Sequence, residues 1–351
     1  MHEIELKFGL PATQLDTVRA ELARLGADIA RPQILQAAYF DTPDRRLAQA
    51  RAALRVRRED DEWVQTFKSA GLNTMVRVEE NQPATPPASS AHGSADGEAL
   101  QPDLSRHHEA ARQVLMQALG WQPERDPPGH HSGLMALYRT DMRRTRARLT
   151  VAEGTPHEGM VELALDEGAI LAGEGPQQRC EAVCELEIEL LSGAPQAVIL
   201  AADAWVARFG LWLDTQTKAH RGDRLARQVQ PMPHRPVAPA SPPDTPPTPW
   251  PLALESALGR YTRAMSALAS PSGPVAPDTV LSWRDANRAI AAVAHTESAQ
   301  PWAHDLAAQA EALAQRMAAS EPTQPETLTA LARSAEATRL ALAVFTVLLA
   351  V

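Results

Sequence analysis

The sequence predicts an α+β protein: a strand-rich domain with flanking helices, followed by a smaller all-α region. Three observations predict it. Segments in the first two-thirds of the chain alternate apolar with charged residues at every step, which is the period of a strand. Between them lie stretches with apolar residues at helical spacing. Finally, PMPHRPVAPASPPDTPPTPWP, residues 231–251, holds ten prolines in 21 positions and reads as a semi-rigid polyproline spacer. The expected layout is a strand-rich domain over 1–228, a Pro-rich linker over 229–251 and a helical domain over 252–351.

Taken in order, HEIELKF (2–8) is a strand. PATQLDTVRAELARLG (11–26) is a helix, with Leu15, Val18, Leu22 and Leu25 on one face and Gly26 as its stop. QAAYFDT leads to a turn at Pro43–Asp44, and ALRVRRE, EWVQTFKSA and TMVRVEEN follow as strands with hairpin-length gaps. Residues 81–105 are rich in Pro, Ser, Gly and Ala and read as a loop. HHEAARQVLMQALGW is a helix. LYRTDMRRTRARLTV and GMVELALDEG are strands joined by EGTPHEG, and VCELEIELL is the last long strand. QAVILAADAWVARFG is a helix, and LDTQTKAHRGDRLAR closes the domain. Alanine-rich helices are expected near 253–269, 282–296, 302–319 and 326–349, with Trp283 and Trp302 as packing residues.

The strands share an unusual feature. Glu3, Glu5 and Lys7 point one way while Ile4, Leu6 and Phe8 point the other. The same holds for Arg55 and Arg57 against Leu54 and Val56, for Thr66 and Lys68 against Trp63 and Phe67, and for Arg77 and Glu79 against Val76 and Val78. Glu162 and Asp166 oppose Val161, Leu163 and Leu165, and Glu185, Glu187 and Glu189 oppose Leu186, Ile188 and Leu190. An open sheet with one wet face also alternates, but its polar slots mix Thr, Ser, Gln and Lys. Here nearly every slot is ionised, and the signs separate by strand. A barrel that points these groups inward must hold something that pairs with both signs, because unpartnered buried charge is very costly.

A polyphosphate with divalent cations meets that demand. Phosphate oxygens accept charge-assisted hydrogen bonds from Arg and Lys, and carboxylates take hard cations. In LYRTDMRRTRARL the register is open, since Arg144, Arg146 and Arg148 share one face and Arg139, Asp141 and Arg143 the other. The first set is taken as inward, with Arg144 and Arg146 as site residues.

With these residues in view, Glu3-Ile4-Glu5-Leu6-Lys7 resembles the ExExK signature of the CYTH proteins, also called triphosphate tunnel metalloenzymes. The later motifs follow in the same order: Arg55 and Arg57, Lys68, Arg77 with Glu79, the arginine strand, the Glu185/Glu187 pair and Lys218. The likeness spans residues 1–228, and the helical appendage makes it similar to bacterial inorganic triphosphatases. It implies an eight-stranded antiparallel β tunnel (barrel) with flanking helices, and hydrolysis of triphosphate to pyrophosphate and phosphate inside it with Mg²⁺ or Mn²⁺. Glu3, Glu5, Lys7 and Glu187 would be catalytic. Glu3, Glu5, Glu185, Glu187 and Glu189 would serve the metal, with Glu3, Glu5 and Glu187 on the principal ion. Lys7, Arg55, Arg57, Lys68, Arg77, Arg144, Arg146 and Lys218 would surround the phosphates. Glu79 and Glu162 either orient arginines or touch metal, and Asp41 and Asp166 read as turn or structural residues. Two departures stand out: the 81–105 loop is long, and the helical region lacks the repeated His and basic pattern of the CHAD domains that often follow CYTH. The alternatives are a class IV-type adenylate cyclase, a thiamine or nucleoside triphosphatase, and a non-catalytic polyphosphate binder.

Bulk properties narrow the partners. With 34 Lys and Arg against 43 Asp and Glu, the net charge of −9 argues against a nucleic-acid partner. The most apolar run, LALAVFTVLLAV (340–351), is shorter than the roughly 20 residues a bilayer needs. Charged residues run straight from the start into a strand with no signal peptide, so a cytoplasmic location is expected. Cys180 and Cys184 then read as reduced thiols, and the pairs His107–His108 and His130–His131 as solvated.

Overall fold

The computed structural model describes residues 2–69, 76–84, 101–229, 249–270, 277–319 and 325–351, without the side chains of 2, 3, 76–78, 277 and 325. The Pro-rich linker, most of the 81–105 loop, and the side chains of Glu3 and Arg77 therefore fall outside the described residues.

The strands are β1 (His2–Gly9), β2 (Gln33–Asp41), β3 (Ala52–Glu59), β4 (Glu62–Ser69), β5 (Val76–Pro83), β6 (Met135–Val151), β7 (Gly159–Ala172), β8 (Arg179–Gly193) and β9 (Trp212–Leu213). They form one antiparallel sheet in the order β5-β4-β3-β2-β6-β7-β8-β1-β9. Strand β1 also pairs with β5, at His2↔Val78, Glu3↔Arg77 and Ile4↔Val76, so the run of ladders returns on itself. Eight strands make that circuit, and the two-residue β9 hangs from β1 beyond it, one strand more than the sequence predicts.

Period-2 alternation then sorts the side chains. The outer faces of β1, β7 and β8 present Leu6, Phe8, Val161, Leu163, Leu165, Leu186 and Ile188, all buried. They pack beneath α1 (Leu15–Arg24) and α4 (Gln196–Phe209). At β3 and β4, Leu54 and Phe67 are covered by α2 (Arg46–Gln49) and α3 (Glu109–Leu119). Helix α4 stops at Gly210, whose φ of +65° is the left-handed cap conformation that glycine takes without a Cβ penalty. Burying each large apolar side chain contributes about 1.5–3 kcal/mol, so this outer shell drives closure. The inward faces are left to the charges.

One end of the tunnel interior is apolar and plugged. Helix α5 (Lys218–Val229) sends Leu225 and Ala226 among Leu35, Tyr39, Tyr138, Met142 and Ile170. Gly222 makes the fit possible, because a Cβ there would lie 2.2 Å from the Tyr138 ring. Arg45, whose side chain is 1% exposed, pairs with Asp223 at 2.8 Å and anchors the helix further. Gly222→Val is expected to cost about 1–3 kcal/mol by overpacking, read as a lower urea midpoint at unchanged m. An unchanged midpoint would contradict this seating of α5.

The C-terminal helices are α6 (Trp250–Ala269), α7 (Pro277–Thr296), α8 (Ala303–Ala319), α9 (Pro325–Ala332) and α10 (Ala335–Leu349). The single helix expected over 326–349 is two, because Ser334 leaves the helical conformation and its side chain accepts from the Ala337 amide as an N-cap. Their core runs without a break into that of β1, β8 and α4. Trp283 is fully buried within it, and Trp302 packs on Trp250. Polar contacts fix the junction: the Leu213 amide donates to Thr338 Oγ1 at 3.1 Å, and the Thr215 amide to Ser266 Oγ at 2.8 Å. Gln216 Nε2 donates to the Ser266 carbonyl at 2.9 Å. The helical region thereby positions residues 213–216, which lead directly into Lys218.

One histidine expectation fails. His107 is 2% exposed, held by Gln65 at 2.8 Å and Glu80 at 3.0 Å, and burial keeps its pKa below the ordinary value. It attaches the segment before α3 to β4 and β5. His108, His130 and His131 are exposed, and Cys180 and Cys184 are free thiols.

Candidate active site

A cavity of about 1160 Å³ fills the rest of the tunnel. Among the sequence-predicted residues, Glu5, Lys7, Arg55, Arg57, Lys68, Arg144, Arg146, Glu185, Glu187, Glu189 and Lys218 all line it. The β2–β6 and β6–β7 registers, Gln33↔Arg144 and Arg146↔Ala164, settle the open arginine strand: Arg144 and Arg146 face the cavity, while Thr145 and Ala147 are buried on the other side.

Cross-strand neighbours build the site row by row. Arg144, Asp166 and Glu185 stand side by side on β6, β7 and β8. Arg144 grips Asp166 through Nε at 2.6 Å and Nη2 at 2.7 Å, and it also bonds Glu187. Lys218 reaches in from α5 and pairs with Asp166 at 2.7 Å, Glu187 at 2.9 Å, and Glu185. Lys7 pairs with Glu185 at 3.2 Å and donates to the Gln216 carbonyl. Arg221 adds a contact to Glu185 at 3.4 Å. Burial alone would raise the carboxylate pKa values here. Arg144 and Lys218 nevertheless hold Asp166 below, and Glu187 well below, the usual range, while the carboxylates raise Lys218.

This inner zone refines the sequence expectation at two residues. Asp166, read as a structural or turn residue, lies within β7 and not at a turn, and its buried ion pairs in the cavity wall agree with a structural role. Its inward register with Glu162 was visible in the alternation. Lys218, expected on phosphate, is satisfied by three carboxylates. The oxygens of Asp166, Glu185 and Glu187 lie within 4.8 Å of one another and could bind a metal ion, yet an ammonium already sits against all three.

A second row is arranged differently. Glu162, Glu189 and Glu5 are direct neighbours on β7, β8 and β1. Burial, then the charges of Glu5 and Glu162, push the Glu189 carboxyl above its ordinary pKa. Glu162 has Arg146 at 3.7 Å. Three carboxylates crowding one another form an oxygen-only donor set of the kind hard cations prefer. These oxygens suit a divalent ion by type, while the trio whose oxygens converge within 4.8 Å, among the described residues, is Asp166, Glu185 and Glu187.

Across the cavity the crowding is cationic. Burial, then the neighbouring guanidinium of Arg55, pull Arg57 down to about 10, and Arg144 adds to the effect against the pull of Glu59. Arg55 donates to the Tyr39 hydroxyl at 3.4 Å and lies 3.9 Å from Glu79, which also pairs with Lys68. Although burial would raise the Tyr39 pKa, Arg55 lowers it. Tyr39 stacks on Tyr138 with centroids 4.8 Å apart. The sequence reading passed over Tyr39, although it lies in the inward register of β2 opposite Arg55.

Fold and site together define a class: antiparallel β tunnels whose interior carries facing sets of basic and acidic side chains. The chain belongs to the CYTH domain family, with residues 1–222 matched. It is 26% identical over 227 residues to an inorganic triphosphatase of Haemophilus influenzae, an alignment covering 63% of this chain and 54% of that protein. The chain thus spans about half the length of this curated relative. A candidate adenylyl cyclase from Hippeastrum, described as having a dominant triphosphatase activity, is 20% identical with a TM-score of 0.37, covering 63% of this chain and 95% of that one. A candidate adenylate cyclase from Bacillus halodurans is 20% identical with a TM-score of 0.35, covering 59% and 90%. No helix among the described residues is long and apolar enough to cross a membrane.

Proposed function

We propose that the chain is a metal-dependent inorganic triphosphatase that cleaves tripolyphosphate to pyrophosphate and phosphate inside the tunnel. One observation carries this reading. Cations crowd one wall, where Arg57 is pulled down to about 10, and carboxylates crowd the other, where Glu189 is pushed up. The two walls carry opposite charge around one cavity, and a metal–polyphosphate complex offers groups that pair with both.

Arg55, Arg57 and Arg144 would take the phosphate oxygens, with Lys68 and Arg146 flanking them and Arg77 as the sequence-predicted addition. Glu5, Glu162 and Glu189 would hold Mg²⁺ or Mn²⁺, with Glu3 as the predicted further ligand and Glu187 at the boundary between the two zones. A divalent ion bound there neutralises phosphate charge and lowers the pKa of water. Lys7 and Lys218 fix Glu185 and Glu187, so the inner network holds the walls rigid while the arginines stabilise charge on the transferred phosphoryl group. Water oxygen bonds to the terminal phosphorus as its bridging anhydride bond breaks, and pyrophosphate leaves.

The test is a substrate panel of tripolyphosphate, ATP and thiamine triphosphate, each with Mg²⁺, with Mn²⁺ and with EDTA. Phosphate release fastest from tripolyphosphate and abolished by EDTA is the expected result. Conversion of ATP to cyclic AMP would move the chain to the cyclase reading, and tight triphosphate binding without turnover would make it a binder.

A further inference from the structure

The cavity has two ends, and they differ. Strand β3 runs from Ala52, the residue after Arg51, to Glu59, so Arg51 and Arg57 are separated by roughly 20 Å along the chain. At the Arg51 end part of the wall is helix. Glu255, Gly259 and Arg263 of α6 line the same cavity as Gln49 and Arg51. Their four-residue spacing puts them on one stripe. Gly259 leaves room for the Arg263 guanidinium, since a Cβ there would lie 3.3 Å from Nη1. Arg51 is held in a left-handed conformation, φ +56°, with its amide donating to the Ala48 carbonyl at 3.0 Å.

Among the described residues neither Arg51 nor Arg263 has a hydrogen bond or ion pair through its side chain, whereas Arg227 at the same end is paired with Asp223 at 2.8 Å. Glu255 sits about 12 Å back along the helix from Arg263, too far to neutralise it. Burial, and then the guanidiniums of Arg51 and Arg260, lower the Arg263 pKa. Two exposed arginines from separate parts of the chain thus line one cavity, neither of them ion-paired among the described residues.

We infer that Arg51 and Arg263 form an outer anion subsite that takes the distal phosphates of a linear phosphoanhydride chain longer than triphosphate. This rests on the triphosphatase reading of the same cavity. A triphosphate is about as long as the gap between two consecutive inward-facing side chains, such as Arg55 and Arg57, which are about 6.6 Å apart. Arg51 lies about 13 Å further along the chain from Arg55. A triphosphate seated on the arginine wall leaves it unused, and a longer chain reaches it. The helical region is then part of the binding cavity.

The test is calorimetric titration of the full chain, without added divalent ion so that nothing is turned over. The ligands are tripolyphosphate and a size-fractionated longer linear polyphosphate. The proteins are wild type, Arg51→Gln, Arg263→Gln, the double variant and Arg263→Lys. Wild type is expected to favour the longer chain by about tenfold or more, and the double variant to cut that ratio about tenfold. Arg263→Lys should retain more of it than Arg263→Gln. An unchanged ratio in the double variant overturns the subsite, as does a wild-type ratio near one with tripolyphosphate still bound. If neither ligand binds wild type, the subsite falls; the triphosphatase reading falls with it only if the same preparation also releases no phosphate from tripolyphosphate with Mg²⁺ or Mn²⁺.

Discussion

Arg57→Ala is expected to lower tripolyphosphate turnover by about 10²- to 10³-fold, the usual loss when one preorganised donor to a developing charge is removed. Its stability should stay at the wild-type level or rise slightly. The reason lies in the crowding: burial and the neighbouring guanidiniums of Arg55 and Arg144 already disfavour the Arg57 charge, and only Glu59 supports it. Removing a group that is under electrostatic strain in the folded protein relieves that strain. A residue kept for packing or salt-bridge stability would behave the other way. Urea midpoints and steady-state rates on the same preparations decide the matter, and a marked stability loss with activity intact would contradict the assignment.

Asp166→Ala is expected to act on stability, by about 3 kcal/mol, because removing one partner of a buried charge network leaves the others uncompensated. Arg144 and Lys218 lose a carboxylate that both contact within 3 Å, although Glu187 and Glu185 remain to hold them in part. Acid behaviour gives the same network a second signature. Asp166 and Glu187 are depressed in the folded protein, so their stabilisation is present above their unfolded values, about 3.9 and 4.3. It is lost as the pH falls from there through their folded values. Wild type should therefore lose stability steadily below about pH 4. In the same range Asp166→Ala should show a shallower slope. Parallel slopes would mean that the network does not set the acid limit.

Much of this site was legible because strand alternation is a strong signal when every inward slot is charged. Glu5, Lys7, Arg55, Arg57, Lys68, Arg144 and the Glu185–Glu189 series all fall on the wall where period 2 puts them. Tyr39 obeys the same rule but was passed over, and Asp166, already placed on the inward face, was given only a turn or structural role because a lone Asp near a strand end also suits a turn. Lys218 lies on a helix, where no strand period applies, and only the family resemblance pointed to it. What alternation could not convey is partnership: it gave Glu185 and Glu187 the right place without showing that Lys7, Lys218 and Arg144 occupy them. Arg263 carries no local signal, since its role depends on where α6 docks. The break at Ser334 was hidden because apolar spacing continues across it, and only the side-chain cap marks the new start.

The most direct measurement is Mn²⁺ affinity with and without tripolyphosphate, followed by electron paramagnetic resonance of the free ion, in wild type and Glu189→Gln. If the acidic row holds the ion beside phosphate on the arginine wall, the two ligands must strengthen each other reciprocally. Tripolyphosphate should then tighten Mn²⁺ binding by about tenfold or more beyond its own chelation, and Glu189→Gln should lose most of that gain. Mn²⁺ binding that is indifferent to tripolyphosphate, or coupling that survives Glu189→Gln intact, would contradict a single site built from the two crowded walls.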